Sequence, residues 1–247
     1  MISRKESPYA ITRNREGELI MYSFILLSGG VGSRMQNNIP KQYMLLAGKP
    51  VIVHILEKID LISEISEIVL VCADKYQNSI RLMLDQYGIQ KRVIFAQAGQ
   101  TRQLSVFSGL KAAKEDRVII HEAARPFVKL DDYLELIHSP FETAIFGIDV
   151  PFTVIKGRES VTGLLNRSEL INVQLPQKFV TKDLLKCHIK ALEEKKDFTE
   201  DASLLFNYEP DSEIKIIPGR DYNIKITTRM DMLTGEIIYD EIFRRRK

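Results

Sequence analysis

The stretch from Phe24 to Tyr43 reads FILLSGGVGSRMQNNIPKQY. Its opening, Phe24 to Leu27, is an unbroken apolar run, the pattern of a strand covered on both faces in a parallel sheet. Gly29, Gly30 and Gly32 follow, and a glycine-rich turn at a strand end leaves backbone N–H groups uncovered, where they bind phosphate. Arg34 and Lys41 add a planar, forked cation and a compact one, which together suit a triphosphate. A tight strand-to-helix turn with two solvated cations accounts for the glycines equally well, so the loop by itself leaves both readings open.

Two better-known glycine loops fit less well. A P-loop needs Lys-Ser or Lys-Thr directly after its last glycine, and here Gly32 is followed by Ser33 and Arg34. The dinucleotide fingerprint asks for glycine or alanine where Met35 stands, and for an acidic residue at the end of the next strand. That strand, Ile68 to Cys72, runs into Ala73 and Asp74. An NAD-type oxidoreductase is therefore the last of the readings.

Outward from this loop, apolar strands alternate with amphipathic helices. The pattern predicts strands over Tyr22–Leu27, Glu67–Cys72, Arg92–Ala96, Arg117–His121 and Thr143–Val150, and helices over Val51–Ile59, Ser79–Tyr87, Gln103–Lys114 and Asp131–Ile137. Together they describe an α/β fold with a three-layer, mostly parallel, Rossmann-like sheet. Such sheets bind ligands beyond the carboxyl ends of their strands, where both the glycine loop and His121–Phe127 (HEAARPF) fall. Residues 151–172 break the alternation with Gly157, Gly163 and scattered charges, which suits a protruding hairpin. The last third predicts a helix over Lys182–Leu192, an edge strand over Ile214–Ile217 and a closing helix over Met230–Phe243. Thr199–Leu204 reads as a helix start capped by Thr199, and Thr101 reads as the cap of a helix carrying Leu104, Phe107 and Leu110.

At 247 residues the chain suffices for one large domain. Residues 1–20 are polar and without period, an expected disordered or loosely packed extension, so the domain is placed at 21–247. Lys plus Arg number 35 and Asp plus Glu 33, a balance that gives no reason to expect a nucleic-acid partner. Cys72 and Cys187 lie far apart and are expected reduced and buried. The four histidines are scattered, so no zinc cluster is legible. No apolar run approaches the length of a membrane span, and a cytoplasmic protein is expected.

Beyond these local readings, GGVGSRM followed by PKQY resembles the nucleotide loop of the 2-C-methyl-D-erythritol 4-phosphate cytidylyltransferase family and its ribitol 5-phosphate relatives. The resemblance continues in order through Gly99–Leu110 (GQTRQLSVFSGL), HEAARPF, Leu175–Phe179 (LPQKF), Thr199–Leu204 (TEDASL) and Asn223–Thr227 (NIKIT). It implies a nucleotidyltransferase that joins a polyol phosphate to CTP, with methylerythritol phosphate as the default acceptor and ribitol phosphate next. It also implies a place in isoprenoid biosynthesis, Mg²⁺ as cofactor, and a homodimer in which residues 151–172 form an exchanged β-arm.

By the same resemblance Arg34, Lys41 and Lys225 are catalytic. Ser28, Gly29, Gly30, Gly32, Ser33, Gly99, Arg102, Ser105 and Ala123 hold the nucleotide, with Ser105 helping to read the base. Arg125, Val154, Arg167 and Leu175 face the acceptor, and Glu122 faces the metal. Three departures from the family pattern stand out. Glu122 replaces an aspartate, and Val154 and Leu175 replace threonines, each swap removing a hydroxyl commonly worth ~0.5–1.5 kcal/mol as a hydrogen bond. Two alternatives follow: a nucleotide-binding homologue with lost or redirected catalysis, and a sugar nucleotidyltransferase using another nucleoside triphosphate.

Overall fold

The structure, a computed structural model, describes residues 17, 19–30 and 40–244. Gly32, Ser33 and Arg34 of the glycine loop, and nearly all of the predicted N-terminal extension, lie outside the described residues. Ile20, placed by sequence in that extension, packs against the core.

Seven strands make the main sheet: β1 (Tyr22–Leu27), β2 (Ile65–Cys72), β3 (Arg92–Gln97), β4 (Arg117–Glu122), β5 (Ala144–Asp149), β6 (Ile171–Val180) and β7 (Lys215–Pro218). Their order is β7-β5-β6-β4-β1-β2-β3. All run in one direction except β6, which is antiparallel to both of its neighbours. The helices are α1 (Val53–Asp60), α2 (Asp74–Gln86), α3 (Arg102–Ala112), α4 (Leu130–His138), α5 (Thr181–Glu193), α6 (Asp201–Tyr208) and α7 (Arg229–Tyr239).

β1 shows why the sheet is sandwiched. Tyr22, Phe24 and Leu26 enter a core with residues of α1, α2 and α4, while Ile25 enters a second core with residues of α3, α5 and α6. A strand with both faces buried needs apolar residues at successive positions, the run that opened the sequence reading. A third, smaller cluster of Leu46, Val51, Phe127 and Ile226 lies under α7.

Three elements differ from expectation. β6 was not predicted as a strand because it carries Gln174, Pro176, Gln177 and Lys178, yet it fills the gap between β4 and β5. Its register slips between Gln174 and Gln177, around a cis Leu175–Pro176 bond. Helix α2 begins five residues earlier than predicted, its exposed first turn having no apolar period to announce it. The cap of α6 is Glu200, whose carboxylate accepts from the Asp201 N–H at 2.9 Å, and not Thr199.

Residues 151–170 leave the sheet as a small arm. Ile155–Lys156 pairs with Gly163–Leu164, and Phe152 and Leu164 are 79% and 78% exposed. No helix of the described residues is long and apolar enough to cross a membrane.

Candidate active site

The C-terminal ends of β1 and β4 are flush, with Leu27 facing Glu122 on one side and Val71 on the other. The chain leaves β1 at Ser28, whose N–H donates to the Val71 carbonyl at 2.8 Å. It leaves β4 at Ala123, whose N–H donates to the Leu27 carbonyl at 2.9 Å. The loops that follow enclose an open cleft of about 460 Å³. Ser28, Gly29, Gly30, Lys41, Gly99, Arg102, Ser105, Glu122, Ala123 and Lys225, ten of the residues expected from sequence, all line it.

Two glycines are there for close approach. A Cβ on Gly29 would lie 2.5 Å from the Cβ of Ala98, and one on Gly99 would run into the Cβ of Leu104. A side chain at Gly29 would force apart the two loops that form the cleft wall, and one at Gly99 would push its loop off the first turn of α3. At Gly30 a Cβ would meet nothing within 4 Å, so the backbone there faces open space.

Gln42 and Tyr43, the residues after Lys41, hold this turn in shape. The Gln42 amide, 2% exposed, donates to the carbonyls of Ser28 at 2.8 Å and Gly30 at 3.1 Å. The Tyr43 hydroxyl lies 3.0 Å from Ser28 Oγ. With two carbonyls drawn back by one side chain, the acceptor groups of the turn are occupied within the chain. The motif PKQY was read for its lysine alone; the buried glutamine beside it was the signal passed over.

Across the cleft, α3 begins as predicted, with Thr101 Oγ1 accepting from the Leu104 N–H at 3.2 Å. Ser105 Oγ donates to the Thr101 carbonyl and accepts from the Gly99 N–H, both at 3.0 Å. Its hydroxyl therefore closes the loop that the nucleotide would lie on.

The floor is a cluster of charges around Glu122, which is 8% exposed. Its Oε2 lies 2.8 Å from Lys225 Nζ and 3.5 Å from Arg125 Nε, and its Oε1 lies 3.6 Å from Arg102 Nε. Burial favours the protonated acid, but Lys225, Arg125 and Arg102 outweigh it and hold the carboxyl below its usual range. Arg102 also donates from Nη2 to Asp201 Oδ2 at 2.6 Å, a partner that no sequence reading assigned. Arg125 donates from Nη1 to the Asn223 carbonyl at 3.1 Å, which ties HEAARPF to the strand-like segment carrying Lys225. His121, in the same motif, is wholly buried and pushed down to about 3 by that burial. As neutral imidazole it donates from Nε2 to the Arg125 carbonyl at 3.0 Å, so it fixes the backbone and takes no part in proton transfer.

None of the four residues expected at the acceptor, Arg125, Val154, Arg167 and Leu175, is in the cleft lining, although Arg125 contacts Glu122 there. Leu175 is 3% exposed and packs in the core; its carbonyl, not its side chain, serves the site, accepting from Asn223 Nδ2 at 2.7 Å. The reason is that its side chain is apolar and the slip in β6 turns it inward. Val154 and Arg167 sit on the arm, outside the cleft lining, where Arg167 Nη1 donates to the Pro151 carbonyl at 2.9 Å.

No group of three or more His, Cys, Asp or Glu among the described residues could cage a metal. A magnesium ion carried by triphosphate oxygens and water needs only one or two protein carboxylates. Glu122, held ionised on the cleft wall, meets that requirement.

Comparison with known proteins agrees with this geometry. The family described as 2-C-methyl-D-erythritol 4-phosphate cytidylyltransferase matches residues 22–241. A 2-C-methyl-D-erythritol 4-phosphate cytidylyltransferase from Clostridium botulinum (strain Langeland) is 35% identical over 227 residues, covering 89% of this chain and 98% of the relative. One from Geobacillus thermodenitrificans is 34% identical over 224 residues, covering 88% and 96%. The solved structure of 4-diphosphocytidyl-2C-methyl-D-erythritol synthase from Anaerococcus prevotii superposes with a TM-score of 0.78 at 28% identity, covering 88% of this chain and 95% of that one.

Proposed function

The chain belongs to the 2-C-methyl-D-erythritol 4-phosphate cytidylyltransferase family, and from that premise we propose that it transfers a cytidylyl group from CTP to 2-C-methyl-D-erythritol 4-phosphate and releases pyrophosphate. The observation that carries this reading is the convergence of Lys225, Arg102 and Glu122 opposite the Ser28–Gly30 turn in one cleft, with Arg125 held against Glu122. Ribitol 5-phosphate is the next acceptor in line. As members of a nucleotidyltransferase family, such chains carry out chemistry that needs placed charge and no covalent intermediate.

A phosphate monoester is mostly dianionic at pH 7, its second pKa being about 6, so the attacking oxygen needs no base. It forms a bond to the α-phosphorus of CTP as the bond from that phosphorus to the bridging α–β oxygen breaks, and the electron pair leaves on pyrophosphate. The turn at Ser28–Gly30, with Gly32 and Ser33 beyond it, would hold the triphosphate, and Lys41 and Arg34 would balance its charge. Lys225 would meet the negative charge that grows on the α-phosphate oxygens, a contribution that is strongest in the transition state. Gly99, Arg102, Ser105 and Ala123 would seat the nucleoside. Glu122 would hold Mg²⁺, which when bound neutralises phosphate charge.

The acceptor side is proposed to come from two copies. Arg125 contacts Glu122 of this chain's cleft, whereas Arg167 and Val154 ride on the arm, whose exposed Phe152, Val161 and Leu164 suit burial against a second copy. The two buried free cysteines accord with a cytoplasmic setting.

Pyrophosphate release measured with Mg²⁺, CTP and a panel of methylerythritol, ribitol, glycerol and arabinitol phosphates, with UTP as control, tests the reading. Release with CTP and methylerythritol phosphate is expected. Release only with another acceptor, or only with UTP, would overturn the substrate assignment. CTP binding without release from any pair would favour a homologue with lost or redirected catalysis.

A further inference from the structure

The motif TEDASL has no part in the chemistry above, yet its two acids reach Arg102 of the cleft lining. Asp201 opens α6 and is 1% exposed. One carboxylate oxygen, Oδ2, accepts from Arg102 Nη2 at 2.6 Å, and the other, Oδ1, lies 3.3 Å from Nε2 of His188, a fully buried side chain on α5. Glu200 stands behind, its Oε1 3.9 Å from the same Arg102 nitrogen. Gln103 fastens the same two segments, donating to the Lys196 carbonyl at 3.1 Å and accepting from the Phe198 N–H at 2.6 Å.

Arg102 is therefore a bridge. Its Nη2 is spent on Asp201 while its Nε faces Glu122, whose other oxygen holds Lys225. Signs alternate along the path: Asp201 negative, Arg102 positive, Glu122 negative, Lys225 positive. Without Asp201, Arg102 keeps only Glu200 at 3.9 Å and Glu122 at 3.6 Å, and in a buried setting an arginine moves onto the nearest remaining carboxylate. Glu122 then has a stronger competitor for Lys225.

We propose that Asp201 is a positioning residue for the nucleotidyl transfer, acting through Arg102 and Glu122 to set where Lys225 stands. The inference rests on the reading of the cleft given above. Burial would protonate Asp201, but Arg102 beside it, with His188, keeps it in the lowered range that the relay requires.

The test uses full-length Asp201→Asn, which keeps the shape and removes the charge, and Arg102→Met, alone and combined. Acetylation of Lys225 in the nucleotide-free protein, followed by peptide mass, reads the relay without any turnover. Severalfold faster labelling is expected in Asp201→Asn, where Arg102 turns to Glu122 and frees Lys225, and slower labelling in Arg102→Met, where Glu122 has Lys225 without that competitor, with the distant Lys49 and Lys111 unchanged. In turnover, kcat of Asp201→Asn should fall about tenfold, equivalent to ~1.4 kcal/mol, with its KM for CTP within about twofold, because Lys225 acts on charge that develops in the transition state. The double variant should lose no more than either single one. Multiplicative losses, an unchanged Lys225 labelling rate, or a change confined to KM would each overturn the proposal. If Asp201→Asn does not fold, Arg102→Met decides alone, and normal labelling and kcat in it would overturn the relay. A wild-type chain without turnover would count against the assigned activity, while the labelling would still decide the relay.

Discussion

Around the cleft, Ser28, Gln42, Ser105 and Glu122 are each less than a tenth exposed, and each is held by contacts to other loops. On the arm, Phe152 and Leu164 are nearly four fifths exposed, and the hairpin is held by a ladder of two residues on each side. These four polar groups of the cleft are partnered inside the chain, whereas Phe152 and Leu164 on the arm are left uncovered by the described residues. A buried polar constellation is costly unless satisfied, which is why the cleft residues hold one another. An apolar hairpin without a core is the material of an interface, and on that ground the acceptor half is proposed to come from two copies.

The sharpest way to break that contrast is to remove one cleft charge. Lys225→Ala should lower the rate of pyrophosphate release by on the order of 10² to 10³-fold, as removal of one donor to a developing oxyanion does. Its side chain is 41% exposed, so the thermal midpoint should barely move. A large loss of stability would mean that the lysine supports the fold and not the chemistry.

Next comes the arm. Phe152→Asp with Leu164→Asp should convert a dimer to a monomer by light scattering and cut turnover about 100-fold, while CTP binding by calorimetry stays within about twofold. Mixing Arg167→Ala with Lys225→Ala should restore part of the activity that each lacks, because in a mixed dimer one cleft receives both intact residues. No recovery on mixing would place both halves of the site in a single chain.

Gln42→Ala probes the cleft's inner lining with a smaller effect. Two carbonyls, those of Ser28 and Gly30, lose their shared donor. At about 1 kcal/mol for each of the two hydrogen bonds, CTP affinity should fall up to about thirtyfold. Gln42→Glu should be worse, since a carboxylate cannot donate to either carbonyl. Equal binding by wild type and both variants would show that the turn holds its form without the glutamine.

The same contrast explains what could be read from the sequence. β1 to β5 were predicted to within about two residues, most of them because burial on both faces sets their apolar runs, and β3, half-buried at the sheet edge, from its short apolar run alone. The cleft residues at Gly29, Lys41, Glu122 and Lys225 came from motifs that the structure brings to one strand edge. Asp201 and Gln42 were missed because a buried polar residue has no period; its reason is a partner distant in sequence, Arg102 for one and the Ser28 carbonyl for the other. Leu175 was misplaced for the opposite reason, since a motif position fixes a backbone location but not the direction of a side chain beside a slip in register.

β6 crosses from one regime to the other, with Ile171 37% exposed at the arm and Lys178 1% exposed in the core. Lys178 Nζ donates to Ser139 Oγ at 2.7 Å and to the Ser139 carbonyl at 2.9 Å. Burial, helped by Arg117, still pushes its ammonium down to about 7 from an ordinary 10.5. Between those values the unfolded chain keeps a proton that the folded one has released, so this lysine makes stability rise with pH over that window. Lys178→Met removes the titration. Its stability relative to wild type in urea should therefore be most favourable near pH 6 and decline by pH 9.5, whatever the packing cost of the swap. A difference that does not change with pH would mean that the Ser139 contacts keep the ammonium charged throughout, and that even the interior end of β6 behaves as the cleft does, with its charge fully partnered.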